Sequence, residues 1–355
     1  MIKILFAYEY LGLGGVEAIL ATRMRALKLE NYDIRAMFSQ NAGGMALFTG
    51  LIEQVHLTTS PLQKMDLIVD YQPDVLVSLD TPGIVGAARS LLPEIKIIYE
   101  IHTTYPQALK PLKNRNFTQQ INGFIVPSSF QARFIQNFLH NTDIPITIVP
   151  DPLDDRFTKP LSDSNQQSKP IIAWVGRLDQ IKNWRAFVKI ASLISRQNSD
   201  VVFYLIGGLY SPMEEQNSLW NSMIKHKLVE RMRWFPSVAP DQMPAVFDEV
   251  RNSGGCVIST SIIESFGMSI LEAMSRACPV VVPDGGSLAE LAGEQTRGLT
   301  YPLTNLNEAV QKVLLLLENP SLRHEMGKCA HEFALNYTWQ VSNEAFLKAI
   351  QSIKS

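Results

Sequence analysis

The sequence predicts an α/β protein made of two Rossmann-like domains, each a doubly wound parallel sheet. Short apolar runs alternate with amphipathic stretches along almost the whole chain. The alternation occurs in two series, separated once by a polar, proline-bearing segment near the middle. At 355 residues the chain is also too long for one ordinary core.

The first series begins with "IKILFA" (2–7) and continues with "DIRAMF" (33–38), "DVLVSL" (74–79), "IKIIYEI" (95–101), "GFIVP" (123–127) and "PITIVP" (145–150). Each run is apolar on both faces, as buried parallel strands are. Between the first two lies "GVEAILATRMRALK" (15–28), where Val16, Ile19, Leu20 and Leu27 fall on one helical face. The break is "DPLDDRFTKPLSDSNQQSKP" (151–170), which reads as a linker, with "DPLDD" a solvated turn. The second series is "IIAWVG" (171–176), "VVFYLIGG" (201–208), "RMRWFP" (231–236), "GGCVIST" (254–260), "PVVVP" (279–283) and "GLTYP" (298–302). The expected domains are therefore 1–152 and 153–339, with an amphipathic helix over 340–355 packing back on the first. Sheets of this kind bind ligands at the carboxyl ends of their strands, so a site in a cleft between the domains is expected.

Composition narrows the function. Hydrophobic residues make up 46% and charged residues 19%, a soluble globular balance. Thirty-two basic against 34 acidic residues give a net charge of -2, so nothing favours a nucleic-acid partner. Cys256, Cys278 and Cys329 are odd in number, widely spaced and without metal-ligand spacing, which suggests reduced thiols. No basic leader precedes the first strand, and "VLLLL" (313–317) is far short of the ~18 apolar residues of a membrane span. A cytoplasmic protein is expected. "LKPLKNRNF" (109–117) carries Lys110, Lys113 and Arg115, a candidate for weak peripheral contact with the inner membrane face.

The most specific segment is "IIESFGMSILEAMSRACPVVVPDGGSLAEL", in which Glu264 and Glu272 stand eight apart. A strand turns at Ser265-Phe266-Gly267 and enters a helix containing Glu272. The N–H groups of Gly267, Met268 and Ser269 at that helix start would suit a diphosphate. A carboxylate further along can accept hydrogen bonds from ribose hydroxyls. Alone, this segment is equally an ordinary helix with two exposed glutamates. "AWVGRLDQIKNW" adds Arg177 and Lys182 after the first strand of the second series, where they could neutralise a departing diphosphate.

These segments resemble glycosyltransferases of family four, the retaining, nucleotide-sugar-dependent group with the two-domain GT-B fold. The resemblance rests on Glu264-x7-Glu272, on Val175-Gly176-Arg177-Leu178 with Lys182, and on Gly14-Gly15-Val16-Glu17. "FIVPSSFQARFI", "TIVPDPLDDRF" and "RWFPSVAPDQMPAVFDEV" are weaker likenesses, and together they cover essentially the whole chain. The glycine loop "YEYLGLGGVE" could also open a dinucleotide site. Its third fingerprint glycine is replaced by Glu17, however, and the second strand ends in "AMFSQNAGG" without a ribose-binding carboxylate, so NAD is disfavoured.

The resemblance implies transfer of a sugar from a UDP-, GDP- or ADP-sugar to a glycan, lipid-linked or small-molecule hydroxyl. No metal and no cofactor are implied. It places the donor on Gly14, Gly15, Gly176, Ser265, Phe266, Gly267, Met268, Ser269 and Glu272, and catalysis on His102, Arg177, Lys182 and Glu264. Asp80 and Thr81 become acceptor candidates, and 39–50 an acceptor loop. The alternative is a sugar-nucleotide-binding protein or epimerase of the same fold without transferase activity.

Overall fold

The computed structural model describes residues 2–140, 143–162 and 169–353. The chain divides into two compact units, Met1–Pro152 with Tyr337–Ser355, and Leu153–Asn336.

The first unit is a seven-stranded parallel sheet in the order β3-β2-β1-β4-β5-β6-β7. Its strands are β1 (Lys3–Leu11), β2 (Asp33–Asn41), β3 (Val55–Leu57), β4 (Val75–Leu79), β5 (Lys96–Glu100), β6 (Gly123–Val126) and β7 (Ile146–Ile148). Central β4 is buried at every position, because helices cover both faces and leave no solvent side for a polar residue. Sequence patterning misses β3, since three residues carry no period and "VHL" is only half-buried. The stretch 39–50 is not a free loop. β2 runs to Asn41, and the 3-10 turn Gly44–Phe48 seats Phe48 in the core.

The last helix, Trp339–Ser352, belongs to this first unit. Phe346 is fully buried there with its ring 5.9 Å from that of Phe6, and Asn343 Nδ2 donates to Glu30 (2.6 Å). The end of the expected 340–355 segment, 354–355, lies outside the described residues.

The second unit is a six-stranded parallel sheet in the order β10-β9-β8-β11-β12-β13. Its strands are β8 (Ile171–Val175), β9 (Val202–Ile206), β10 (Met232–Phe235), β11 (Cys256–Ile258), β12 (Val280–Pro283) and β13 (Leu299–Tyr301). Its core is built on Trp174, Trp184, Phe187 and Phe203, with Cys256 among them; Cys278 is also fully buried and Cys329 is exposed.

One expectation needs correction. "DPLDD" is not a solvated turn: Asp151 is 3% exposed, Pro152 and Leu153 are buried, and a 3-10 turn follows at Asp155–Thr158. The chain beyond is held to the second unit by Arg276, whose guanidinium pairs with Asp248 (2.6 Å) and donates to the carbonyls of Lys159 and Pro160. Of the expected linker, 163–168 lie outside the described residues. The basic stretch 109–117 forms a 3-10 turn, Lys110–Lys113, and a short helix, Arg115–Thr118. Leu109 and Leu112 are buried in the core, while Lys110, Lys113 and Arg115 are exposed. No helix among the described residues is long and apolar enough to cross a membrane.

Candidate functional site

In the second unit, β8 and β11 are neighbours, while β9 follows β8 on the opposite side. The connections therefore diverge between β8 and β11, and such switch points open a crevice at the carboxyl ends of the strands. Lys182 lies on the loop after β8 and Glu264 on the loop after β11. Their side chains meet, Nζ to Oε1, at 2.5 Å. Ser261 Oγ donates to the same carboxylate oxygen (2.7 Å), and Ile262 N–H donates to the Ile181 carbonyl (2.8 Å). Thr260 secures both loops from beneath: its Oγ accepts from the Trp174 indole (2.9 Å) and lies 3.1 Å from the Lys182 carbonyl.

Asp179 shapes the rest of the first loop. One oxygen accepts the Lys182 N–H (2.7 Å), and the other accepts from Arg177 Nε (2.9 Å), whose side chain is 65% exposed. Gly176 begins this loop, and Gly207 at φ +108° passes so close that a Cβ there would lie 2.3 Å from the Gly176 carbonyl oxygen.

Gly267 starts the helix Met268–Ser275 at φ +109°, and no side chain caps it. A Cβ on Gly267 would meet Leu288 Cδ2 at 2.6 Å, so glycine is required both for the turn and for the packing. Phe266 is buried beside it. The uncapped helix start leaves backbone N–H groups of the first turn, including Met268 and Ser269, for an anion. Glu272, four residues into the helix, is half-buried. Burial pushes its carboxyl up to about 8, with Asp154 adding to the rise and Arg156 opposing it. Arg156 is itself held by both oxygens of Asp154 (2.7 Å each).

The first unit gathers a different set. His102, just after β5, has a side chain only 5% exposed. Its Nε2 lies 2.9 Å from Glu100, and Nδ1 lies 3.7 Å from Asp151. Asp80, after β4 and at φ +45°, accepts the N–H groups of His102 (3.2 Å) and Thr103 (3.4 Å). Arg23 pairs with the other oxygen of Glu100 (2.5 Å), and its guanidinium sits 4.5 Å from the Phe346 ring. Burial alone would discharge the imidazole, but Asp151, Glu100 and Asp80 outweigh it and hold His102 at about 9. Burial likewise opposes ionisation of Glu100, yet Arg23 and His102 bring its carboxyl down to about 2. Asp80 and Asp151 are pushed up to about 6 by burial, against the pull of His102. The nitrogens of His102 thus face carboxylates of its own unit, which favour its protonated form. Nε2 is engaged by Glu100, while Nδ1 makes no hydrogen bond among the described residues.

The glycine loop is also occupied. Gly12 N–H donates to Glu17 Oε1 (3.0 Å), and a Cβ on Gly14 would lie 2.6 Å from Glu17 Oε2. Glu17 sits three residues past the Gly14 cap of the helix Gly15–Leu29, where a carboxylate folds back onto the helix start. The loop keeps its glycines to make room for this carboxylate. Gly15 alone faces open space.

Sequence reasoning passed over Arg23, Glu100, Asp151, Asp179 and Ser261. The first two carried a signal: charges on an otherwise apolar helix face and in a strand apolar on both sides must be paired to be buried.

A family model described as "Glycosyl transferases group 1" matches residues 156–333, half of the chain. The chain belongs to this family. The matched residues include Arg177, Lys182, Glu264 and Glu272. Sucrose synthase 6 of Oryza sativa subsp. japonica is 28% identical over 164 residues, 41% of this chain and 18% of its own length. D-inositol 3-phosphate glycosyltransferase of Kribbella flavida is 26% identical over 186 residues, 51% of this chain and 43% of its own. The alignments thus span less than half the length of either relative. The Anabaena protein HepE, solved in complex with UDP-glucose, superposes with a TM-score of 0.82 at 17% identity, covering 99% of this chain and 100% of that one. The fold is GT-B, two Rossmann-like parallel-sheet units.

Proposed function

We propose that this group 1 family member is a retaining glycosyltransferase, moving a sugar from a nucleotide-diphosphate sugar to an acceptor hydroxyl. The observation that carries the reading is the convergence, at the β8/β11 switch point, of Lys182, Glu264 and the uncapped helix start at Gly267. An ammonium and free helix N–H groups recognise a diphosphate, and Glu264 is positioned to take sugar hydroxyls when Lys182 turns to the phosphate. Glu272, further along the same helix, takes the ribose hydroxyls.

In the proposed reaction the bond from the anomeric carbon to the diphosphate oxygen breaks as the acceptor oxygen bonds to that carbon from the same face. The acceptor's proton passes to the departing diphosphate oxygen. No separate strong base is then needed, and stabilising the leaving group is the main task. Arg177, Lys182 and the helix start at 267–269 perform it, in place of a metal ion. UDP-, GDP- and ADP-sugars all fit this description. His102 acts here as a positioning residue that holds Asp80, Glu100 and Asp151.

The test is release of nucleoside diphosphate from UDP-, GDP- and ADP-glucose. Lys182→Ala and Arg177→Ala should each lower turnover on the order of 100-fold, with donor affinity changed much less. Full turnover in the double variant would sink the mechanism.

A further inference from the structure

The second unit carries a basic groove at the end of its sheet opposite to the proposed donor site. β8, β9 and β10 lie side by side, so the crossover helices Trp184–Gln197 and Met213–Lys225 run together on one face. The first helix ends just before β9, and a turn over 226–231 leads from the second into β10. Between them, at the amino ends of these strands, lies a groove of about 700 Å³. Lys182, Glu264 and Gly267 stand instead beyond the carboxyl ends of β8 and β11. Arg196, Lys225, Lys227 and Arg231 line the groove against one carboxylate, that of Glu230.

Arg196, Lys225 and Lys227 form no ion pair among the described residues. Arg231 Nη1 donates to the Ser195 carbonyl (3.2 Å), which holds its guanidinium beside the end of the first helix. The positive field meets at His226, also in the lining: burial, then Lys225, Arg196 and Lys189 hold its imidazole below the ordinary 6.5. Like charges gathered in this way repel one another until an anion lies among them. Ser192 is 5% exposed and lines the groove, and its hydroxyl has no partner among the described residues. Ser195 Oγ, one turn further along the helix, is buried and has none either. Ammonium, guanidinium and hydroxyl donors around one groove match a tetrahedral dianion, which shares three terminal oxygens among them. A carboxylate is planar and carries a single charge. A nucleic acid needs a run of phosphate contacts along a face, and Arg185, further along this one, is taken by Glu215 (2.9 Å). We propose that this groove binds a phosphate monoester, at a site separate from that of the nucleotide donor.

Calorimetric titration of the full chain with glycerol 3-phosphate and ribose 5-phosphate tests this, with acetate at matched ionic strength as the control anion. Flotation with phosphatidylcholine vesicles, with and without phosphatidic acid, presents the same monoester as a lipid headgroup. Saturable binding of a soluble monoester is expected, weakened on the order of tenfold in Arg196→Ala and in Lys227→Ala. The double charge reversal Arg196→Glu/Lys227→Glu should abolish it. Both side chains are exposed, and unchanged thermal melting shows that these variants are folded. The binding should persist in Lys182→Ala, which alters the donor site alone. Binding only to vesicles that contain phosphatidic acid, lost in the double variant, supports the groove and identifies lipid as the source. No binding in either form, binding unchanged in the double variant, equal binding of acetate, or binding lost in Lys182→Ala would each overturn the proposal.

Discussion

Glu100→Gln tests the buried charge cluster of the first unit. The substitution keeps the shape of the side chain and removes the negative charge shared by Arg23 and His102. Glu100 is one of the groups, after Asp151 and with Asp80, that hold the His102 ring at about 9 against an ordinary 6.5. Removing one partner of a buried ion pair costs about 3–5 kcal/mol, and the lower end, about 3 kcal/mol, applies here because glutamine keeps the side chain's shape. For a unit of this size each kcal/mol moves the melting temperature by about 2–4 °C, so Glu100→Gln should melt roughly 6–12 °C lower at neutral pH. The sign with pH is fixed. A raised histidine contributes fully below its unfolded value of 6.5 and loses the contribution as pH rises through about 9. The gap between wild type and variant should therefore narrow between pH 7 and 10, although the Arg23 pair keeps it open. Calorimetry across that range measures the gap, and NMR of ring-labelled histidine locates the titration of His102. A wild-type His102 titrating near 6.5, or a variant melting within about 2 °C of wild type at pH 7, would refute the reasoning.

Two further predictions concern the second unit. Glu272, raised to about 8, favours folding below its unfolded value of 4.5 and loses that contribution as pH rises through about 8. Glu272→Gln should therefore lose less melting temperature than wild type between pH 6 and 9, and parallel curves by scanning fluorimetry would contradict the burial of this carboxylate. Gly267→Ala forces a side chain to φ +109° and against Leu288. It should cost about 1–3 kcal/mol in urea unfolding and weaken nucleotide binding, and a neutral substitution would contradict the role of this turn.

Much of the fold was legible because buried parallel strands announce themselves as apolar runs, and every run read as a strand is one. β3 was not legible, since three half-buried residues on a sheet edge carry no pattern. Glu264, Glu272, Arg177 and Lys182 were legible as motifs, but the contact between Lys182 and Glu264 was not. It depends on β8 and β11 being neighbours, a pairing of strands 80 or so residues apart that no local pattern records. The pairing of His102 with Asp151 was hidden for the same reason, and "DPLDD" read as solvated because a carboxylate's burial depends on its partner and not on its neighbours in sequence. The glycine loop was legible as a loop. That Glu17 fills it emerged only from the fold, in which a helix start brings the third helical residue back onto its own cap.

The central claim is that the second unit binds a nucleotide diphosphate at the helix start after Gly267. Calorimetric titration of the full chain with UDP, GDP, ADP and NAD tests it most directly, in wild type and in Glu272→Ala. The account predicts saturable binding of at least one nucleoside diphosphate, weakened tenfold or more in the variant, and no binding of NAD. Binding of NAD alone, or nucleotide binding unchanged in Glu272→Ala, would contradict it.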